Sequence, residues 1–508
     1  LLSRRQRQMC IRDSTHTYRS GHSEYCSDEE ILKASKQKGI TKLGFSEHIP
    51  NPSLILPDES HRMLFSEVDD YISSINKMKN ANPDMTILSG FEAEFDPMRE
   101  SYLGEMREKV DYMILGQHFV PRGLMNVTGT NNPNYPIEYA NMVSKAIDSG
   151  IFDIVAHPDI FMQFRDTMDS EENKNLFDEN SVIASQIICE KARDMGIPLE
   201  INLNGAFNSQ LHSNDSLKYP SKTFWKVASE IDGLQVLQGI DAHTLRSIKD
   251  VDKSAMKVSD ITEMMRDKFV AKDYDPVVAR QNNIKLQEAY KLGQDKALSF
   301  ETHMVNQSVS NICNNLNDGM NPEDIAIGIG QGLNIAMQEC IDNANAKDKS
   351  VVDDISQIAE NDKMPLEEKK VRAERKKKVI DETNQVLSNQ QLVIGNAKNS
   401  VISAVNIGCQ NKEEFINMTT QITEHNSSVN ERHKSTIENQ VSTFQQSKGT
   451  PSINVNEKNP ILVKKQNSTS HNQNSGFAST VSIIMIVTFI VGFVAGITYM
   501  ICKFMIGG

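Results

Sequence analysis

The sequence predicts an α/β fold, with a parallel sheet or TIM-like β/α barrel first, then a helical and flexible region, then a single C-terminal transmembrane helix. Three observations predict it. Short apolar runs alternate with helical stretches from residue 15 to about 245, and a β-then-α rhythm builds parallel sheets. Histidines and carboxylates gather at the ends of those apolar runs, and in a β/α barrel the carboxyl ends of the strands form the active-site face. Near the end of the chain, "FASTVSIIMIVTFIVGFVAGITYMIC" (477–502) contains no Asp, Glu, Lys or Arg.

The opening "LLSRRQRQMCIRDS" has four arginines and no apolar centre, so it does not read as a secretory signal. It reads as a non-native leader over 1–14, with the native part beginning near Thr15. "SDEEILKASKQKG" (27–39) reads as a helix. Ser27 and Glu30 have the spacing of a capping box, and Gly39 stands where a C-cap belongs. "ITKLGFSEH" is a strand ending at His48, and "MTILSGFEAEF" is a strand carrying Glu92. "VDYMILGQHFV" carries His118 and "FDIVAHPDIF" carries His157. "SVIASQIICEKARDMG" (181–196) is a second helix closed by glycine. "GIPLEINLNG" brings Glu200, Asn202 and Asn204, and "LQVLQGIDAHT" brings Asp241 and His243. The barrel is expected to span 15–250.

Beyond 250 the strand signals fade. Residues 251–387 read as a helical region, in which "PLEEKKVRAERKKKVIDETNQVL" (365–387) is charged on nearly every face. That pattern predicts a solvated helix or loose coiled coil. Residues 388–476, rich in Asn, Gln, Ser and Thr, read as a polar flexible stalk. The apolar run 477–502 exceeds the ~20 residues that cross a ~30 Å hydrocarbon core. Lys464 and Lys465 precede it and Lys503 follows, so flanking charge orients it only weakly. The expectation is a single-pass C-terminal anchor in a membrane, with the barrel in the cytoplasm.

A net charge of −13 argues against nucleic acid as a partner, because phosphate neutralisation needs clustered Lys and Arg. The seven cysteines are scattered, with no CxxC, which fits a reduced compartment rather than a disulfide framework.

Of twelve histidines, His16, His22, His48, His118, His157 and His243 fall at strand ends or in the loop after the first strand. Glu92 and Asp241 sit at equivalent strand ends. Taken singly, each is an ordinary hydrogen-bonded residue. Together on one barrel face they would be costly to bury without a counter-ion, and imidazole with a bridging carboxylate suits Zn, Fe or Mn.

In order, "THTYRSGH", "FSEHIP", "GFEAEF", "LGQHF", "VAHPDI" and "GIDAH" resemble the motifs of the PHP (polymerase and histidinol phosphatase) domain, most closely its histidinol-phosphatase type. The resemblance covers 14 to about 245. It implies a distorted (β/α)7 barrel holding two or three divalent metal ions, and a metal-dependent phosphoesterase acting on a small phosphomonoester. It implies that His16, Glu92 and Asp241 hold one metal, Glu92, His118 and His157 a second, and His22, His48 and His243 a third. Glu92, Asp241 and His243 are the residues expected to carry catalysis. Arg19 and Arg165 are candidates to pair with substrate phosphate, and Glu200 and Asn202 to line the pocket. Glu47 and Asp159, beside ligands, are expected to support them. The family's first motif is usually His-x-His, and this chain has Ser14 where its first histidine belongs. The alternatives are a PHP hydrolase for a nucleotide or other phosphoester, and a catalytically impaired membrane-tethered scaffold.

Overall fold

Six parallel strands organise the computed structural model, which describes residues 15–122, 126–127, 132–162, 177–211, 219–293 and 322–410. They are β1 (Lys42–His48), β2 (Thr86–Ala93), β3 (Tyr112–Leu115), β4 (Ile154–Val155), β5 (Leu199–Asn202) and β6 (Val236–Gly239). They lie side by side in sequence order. Each connection is a crossover carrying helix, as parallel pairing demands. The sheet curls until its two edge strands share a neighbour. Thr15 accepts a hydrogen bond from the Ser46 amide (3.1 Å), and the His16 amide donates to the Ala242 carbonyl (3.0 Å). The segment that begins the PHP-like motifs is thus the seventh stave, reduced to a parallel bridge between Thr15 and Ala242.

The strands are apolar on both faces. Phe45, Ile87, Phe91, Met113, Ile114, Ile154, Leu199, Ile201 and Val236 are all buried, as expected when helices cover the outside and side chains fill the inside. The capping box expected at Ser27 and Glu30 is present, and the helix runs Asp28–Gln37 with Ile31, Leu32 and Ala34 buried. The second expected helix runs Glu179–Met195. Asp178 caps its start, Ala184, Ile188 and Ala192 form its buried stripe, and Gly196 closes it in a left-handed conformation (φ 66°).

Three expectations about the C-terminal half are corrected. Residue 250 is not a packing boundary. Phe269 bridges Val236, Val270, Tyr274 and Val277 pack on the core, and Arg280 donates to Asp153 (3.0 Å) and to the Gly150 carbonyl (2.7 Å). The chain divides into two units, residues 1–297 with 340–388, and residues 298–339 with 389–508. The charged stretch 365–387 therefore belongs to the barrel unit and is not a freely solvated helix. Val351 and Val379 bury against Leu64, and its charges find partners on the barrel. The stretch 388–476 does not begin as a flexible stalk, because the helix Leu366–Gln410 continues into it. Residues 411–476 lie outside the described residues, as do the leader 1–14, Arg165 and the apolar run 477–502. Among the described residues no helix is long and apolar enough to cross a membrane.

Candidate metal centre

Strand register explains why distant residues meet. His48 ends β1 directly beside Glu92 of β2. β3 and β4 are paired through Leu115 and Val155, so His118 and His157 follow at nearly the same height. β6 pairs Gly239 with Asn202 of β5, and Asp241 follows two residues later. His16 comes from the bridging segment. All eight expected ligands are therefore delivered to one end of the sheet. There all of them but His16 line a cavity of about 350 Å³.

Two of these positions need unusual backbone. His157 (φ 28°) and Asp241 (φ 49°) both lie in the left-handed region, where a side chain crowds its own carbonyl and the conformation costs about 1–2 kcal/mol. The turn redirects each side chain to the sheet end immediately after a short strand. Both turns are braced. The His157 amide donates to Glu200 (3.0 Å), while Asn202 and Asn204 each donate to Asp241 (3.2 Å). Glycine is required at Gly116, because a Cβ there would overlap the Glu92 carboxylate.

Glu92 is the hub. Its carboxylate meets His16 Nε2 and His157 Nε2, each at 3.2 Å, and His118 Nε2 at 3.9 Å. His16 Nε2 also stands 3.2 Å from Asp241. Three sets of ligand atoms lie within 4.8 Å of one another: His16–Glu92–Asp241, Glu92–His118–His157 and His16–His48–His243. The first two have the membership that the family resemblance implies. The third brings in His16 where that grouping has His22. His22 stands at the edge, its ring 4.6 Å from that of His243 and 5.2 Å from that of His48.

Charge shows what the cluster wants. Burial pulls His16 towards the neutral form, but contacts with Asp241 and Glu92 outweigh it and raise its pKa to about 10. Burial likewise opposes protonation of His157, and Glu92 raises it to about 9. The remaining imidazoles that shift go the other way. Burial, then the charge of His16, hold His48 well below the usual value and bring His243 to about 4. Burial would raise Glu92 and Asp241, but the surrounding histidines hold both well below the carboxylate range. The carboxylates stay anionic and hold protons on the nearest imidazoles, so a divalent cation displacing those protons would meet the imidazole and carboxylate donor set it takes. His16 Nδ1 and Nε2, Glu92 Oε2 and His157 Nδ1 are buried without an aligned hydrogen bond, so a cation would satisfy atoms that the protein leaves open. On these grounds the residues fit divalent metal.

The supporting contacts orient the rings. His118 Nδ1 faces Glu94 at 3.0 Å, and Arg62 holds the other Glu94 oxygen at 2.7 Å, leaving Nε2 towards Glu92. His243 Nδ1 faces its neighbour's backbone, the Asp241 carbonyl, at 3.1 Å. Such partners fix tautomer and direction. Glu94 is absent from the sequence expectations, although "EAEF" places it two residues after Glu92, on the same face of a strand continued by alternation.

Three substrate expectations are revised by placement. Arg19 does not face the cavity. Its guanidinium is buried in pairs with Asp28 (2.9 Å) and Asp70 (3.0 Å), so it braces the helix Asp28–Gln37 instead. Glu200 and Asn202 are fully buried beneath the ligands and bond each other at 2.9 Å. They are not among the residues lining the cavity, which besides the ligands include Ile160, Asn204, Asn208 and Tyr219. Glu47 accepts from the Thr17 amide and Asp159 from the Ser221 amide, so both hold loops rather than ligands. Burial raises Glu47 to about 7 and Asp159 to about 6.

Residues 14–202 match the PHP domain family. Six of the eight candidate ligands lie in that range, while Asp241 and His243 follow it. No curated protein matches the chain significantly. Among solved structures, the chain is similar to a provisionally assigned histidinol phosphatase from Listeria monocytogenes. The two share 19% identity over 46% of this chain and 96% of that one, with a TM-score of 0.39.

Proposed function

We propose that the chain is a metal-dependent phosphoesterase that hydrolyses a small phosphomonoester, in the manner of a histidinol phosphatase. The observation that carries this reading is Glu92 shared between two ligand sets at the end of a PHP-like barrel, where it would hold both ions. Divalent ions held there would supply Lewis acidity, lowering the pKa of water and neutralising phosphoryl charge. The protein's own part is arrangement. Glu92 fixes the spacing of the two sets. Glu94 and Arg62 hold His118 in one tautomer, and Asn202 and Asn204 hold Asp241. Asn208 and Tyr219 also line the cavity, where they would meet the alcohol side of the ester. His243, with its pKa brought to about 4, stays neutral at physiological pH and serves as a ligand rather than an acid. The apolar run 477–502 supports tethering of this activity to a membrane.

The test is hydrolysis of histidinol phosphate and a panel of phosphomonoesters by the purified chain in Mn²⁺ or Zn²⁺, with bound metal counted. Ser14→His should raise activity and Glu92→Gln should abolish it. Two or more ions bound with no turnover of any ester would overturn the reading.

A further inference from the structure

We propose that Arg375, on the helix Leu366–Gln410, is a positioning residue for the metal centre, clamping together two loops that adjoin its ligands. A guanidinium offers five N–H donors in a planar fork. Here the Nη1 group donates to the Glu59 carbonyl (2.6 Å), and Nη2 to the carbonyls of Arg19 (2.6 Å) and Arg62 (3.0 Å). Nε faces the Glu67 carboxylate at 3.2 Å. One side chain more than 300 residues away thus binds the loop after the His16 segment and the loop after β1 at once.

Those loops meet at this point. Gly21 (φ +82°) packs so tightly on the Glu59 carbonyl that a Cβ would overlap it. From there the paths to the ligands are short. Arg19 lies midway between His16 and His22. The Met63 amide donates to the His48 carbonyl (3.2 Å). Arg62 reaches Glu94, which orients His118. The clamp is also anchored independently. Lys347 and Lys376 pair with Glu59 at 2.6 and 3.0 Å, Glu382 accepts from the Ser66 amide at 2.6 Å, and Val351 and Val379 bury against Leu64. Each of these contacts falls between residues 59 and 67, and none enters the cavity. The helix therefore acts on the loops and not on substrate.

The inference rests on the metal-centre reading for its affinity readout and on loop geometry alone for its second. The full chain is compared with Arg375→Ala, Arg375→Lys and the exposed control Lys377→Ala, by amide hydrogen exchange and by Zn²⁺ affinity in chelator competition. Arg375→Ala should speed exchange about tenfold across 17–22 and 58–66, leave Tyr112–Leu115 and Lys222–Ser229 unchanged, and weaken Zn²⁺ binding roughly 10–100-fold, as loss of an orienting partner does. Arg375→Lys should fall between, since an ammonium does not reproduce the fork. It carries the test should Arg375→Ala not fold. Unchanged loop exchange in the variants, or loosened loops with wild-type affinity, would overturn the proposal. A wild-type chain binding no metal would remove the phosphoesterase reading and the positioning role with it, whatever the loops do.

Discussion

Metal binding should release protons, and the pKa values say how many and where. In the metal-free protein His16 titrates at about 10 and His157 at about 9. At about pH 7.5 both are therefore protonated, each held mainly by Glu92 or Asp241. A cation must displace those protons before it meets neutral imidazole. At 1.36 kcal/mol per unit, the cost is about 3 kcal/mol for His16 and about 2 kcal/mol for His157. Apparent affinity should then rise with pH, up to about tenfold per unit for each proton displaced, and level off above about 9–10. Calorimetric titration in buffers of differing ionisation enthalpy should read between one and two protons released at full loading. Glu92→Gln removes the shared anion, lowers both pKa values towards the ordinary histidine range, and should at least halve that release. Proton release near zero at about pH 7.5, or affinity flat from about 6.5 to 9, would refute the reasoning. The same shifts act oppositely on the metal-free fold. Because both folded pKa values are raised above the unfolded ~6.5, the stabilisation is complete below about 6.5 and is lost as pH climbs through about 9 and then 10. Thermal melts with chelator present should fall over that window, and the loaded protein should not follow them.

Two further substitutions probe the supports. Gly116→Ala drives a methyl group into the Glu92 carboxylate. It should cost about 1–3 kcal/mol of stability and lower metal stoichiometry, read by denaturant melts and elemental analysis. Glu94→Gln removes the anion that faces His118 Nδ1 and pairs with Arg62. Zn²⁺ affinity should drop roughly 10–100-fold with His16 untouched, and unchanged affinity would show that Glu94 is not the orienting group.

The sequence makes the strand ends legible because each ligand follows an apolar run, and parallel pairing brings equivalent ends to one level. His48 beside Glu92 is the plain case. Helix limits are legible where local chemistry sets them, as at Ser27 and Gly196. What stays hidden is long-range. Arg19 reads as a phosphate ligand because a buried pair with Asp28 and Asp70 leaves no local trace. The 365–387 stretch reads as solvated because its charged pattern is that of an exposed helix, whereas Arg375, Lys376 and Glu382 spend their charges on the barrel. The ends of β4 and β6 hide a second kind of information. Nothing in "VAHPDI" or "GIDAH" signals that His157 and Asp241 turn left-handed.

That strain gives Glu200 a role different from lining the cavity. A left-handed histidine persists only if its surroundings hold it, and the buried Glu200 carboxylate receives the His157 backbone amide at 3.0 Å and the Asn202 side-chain Nδ2 at 2.9 Å. Removing it by Glu200→Ala leaves the buried His157 amide without its acceptor, at about 1–3 kcal/mol, leaves Asn202 its contact with Asp241, and frees His157 to relax towards ordinary backbone. The loss should be uneven. The Glu92–His118–His157 set depends on that turn, whereas His16–Glu92–Asp241 keeps the second brace on Asp241 from Asn204. Loading followed ion by ion should therefore show one site lost and one retained, together with a lower melting temperature. Equal weakening of both would mean that Glu200 only stabilises the barrel. An unchanged second site would mean that the turn is held by the strand ends alone.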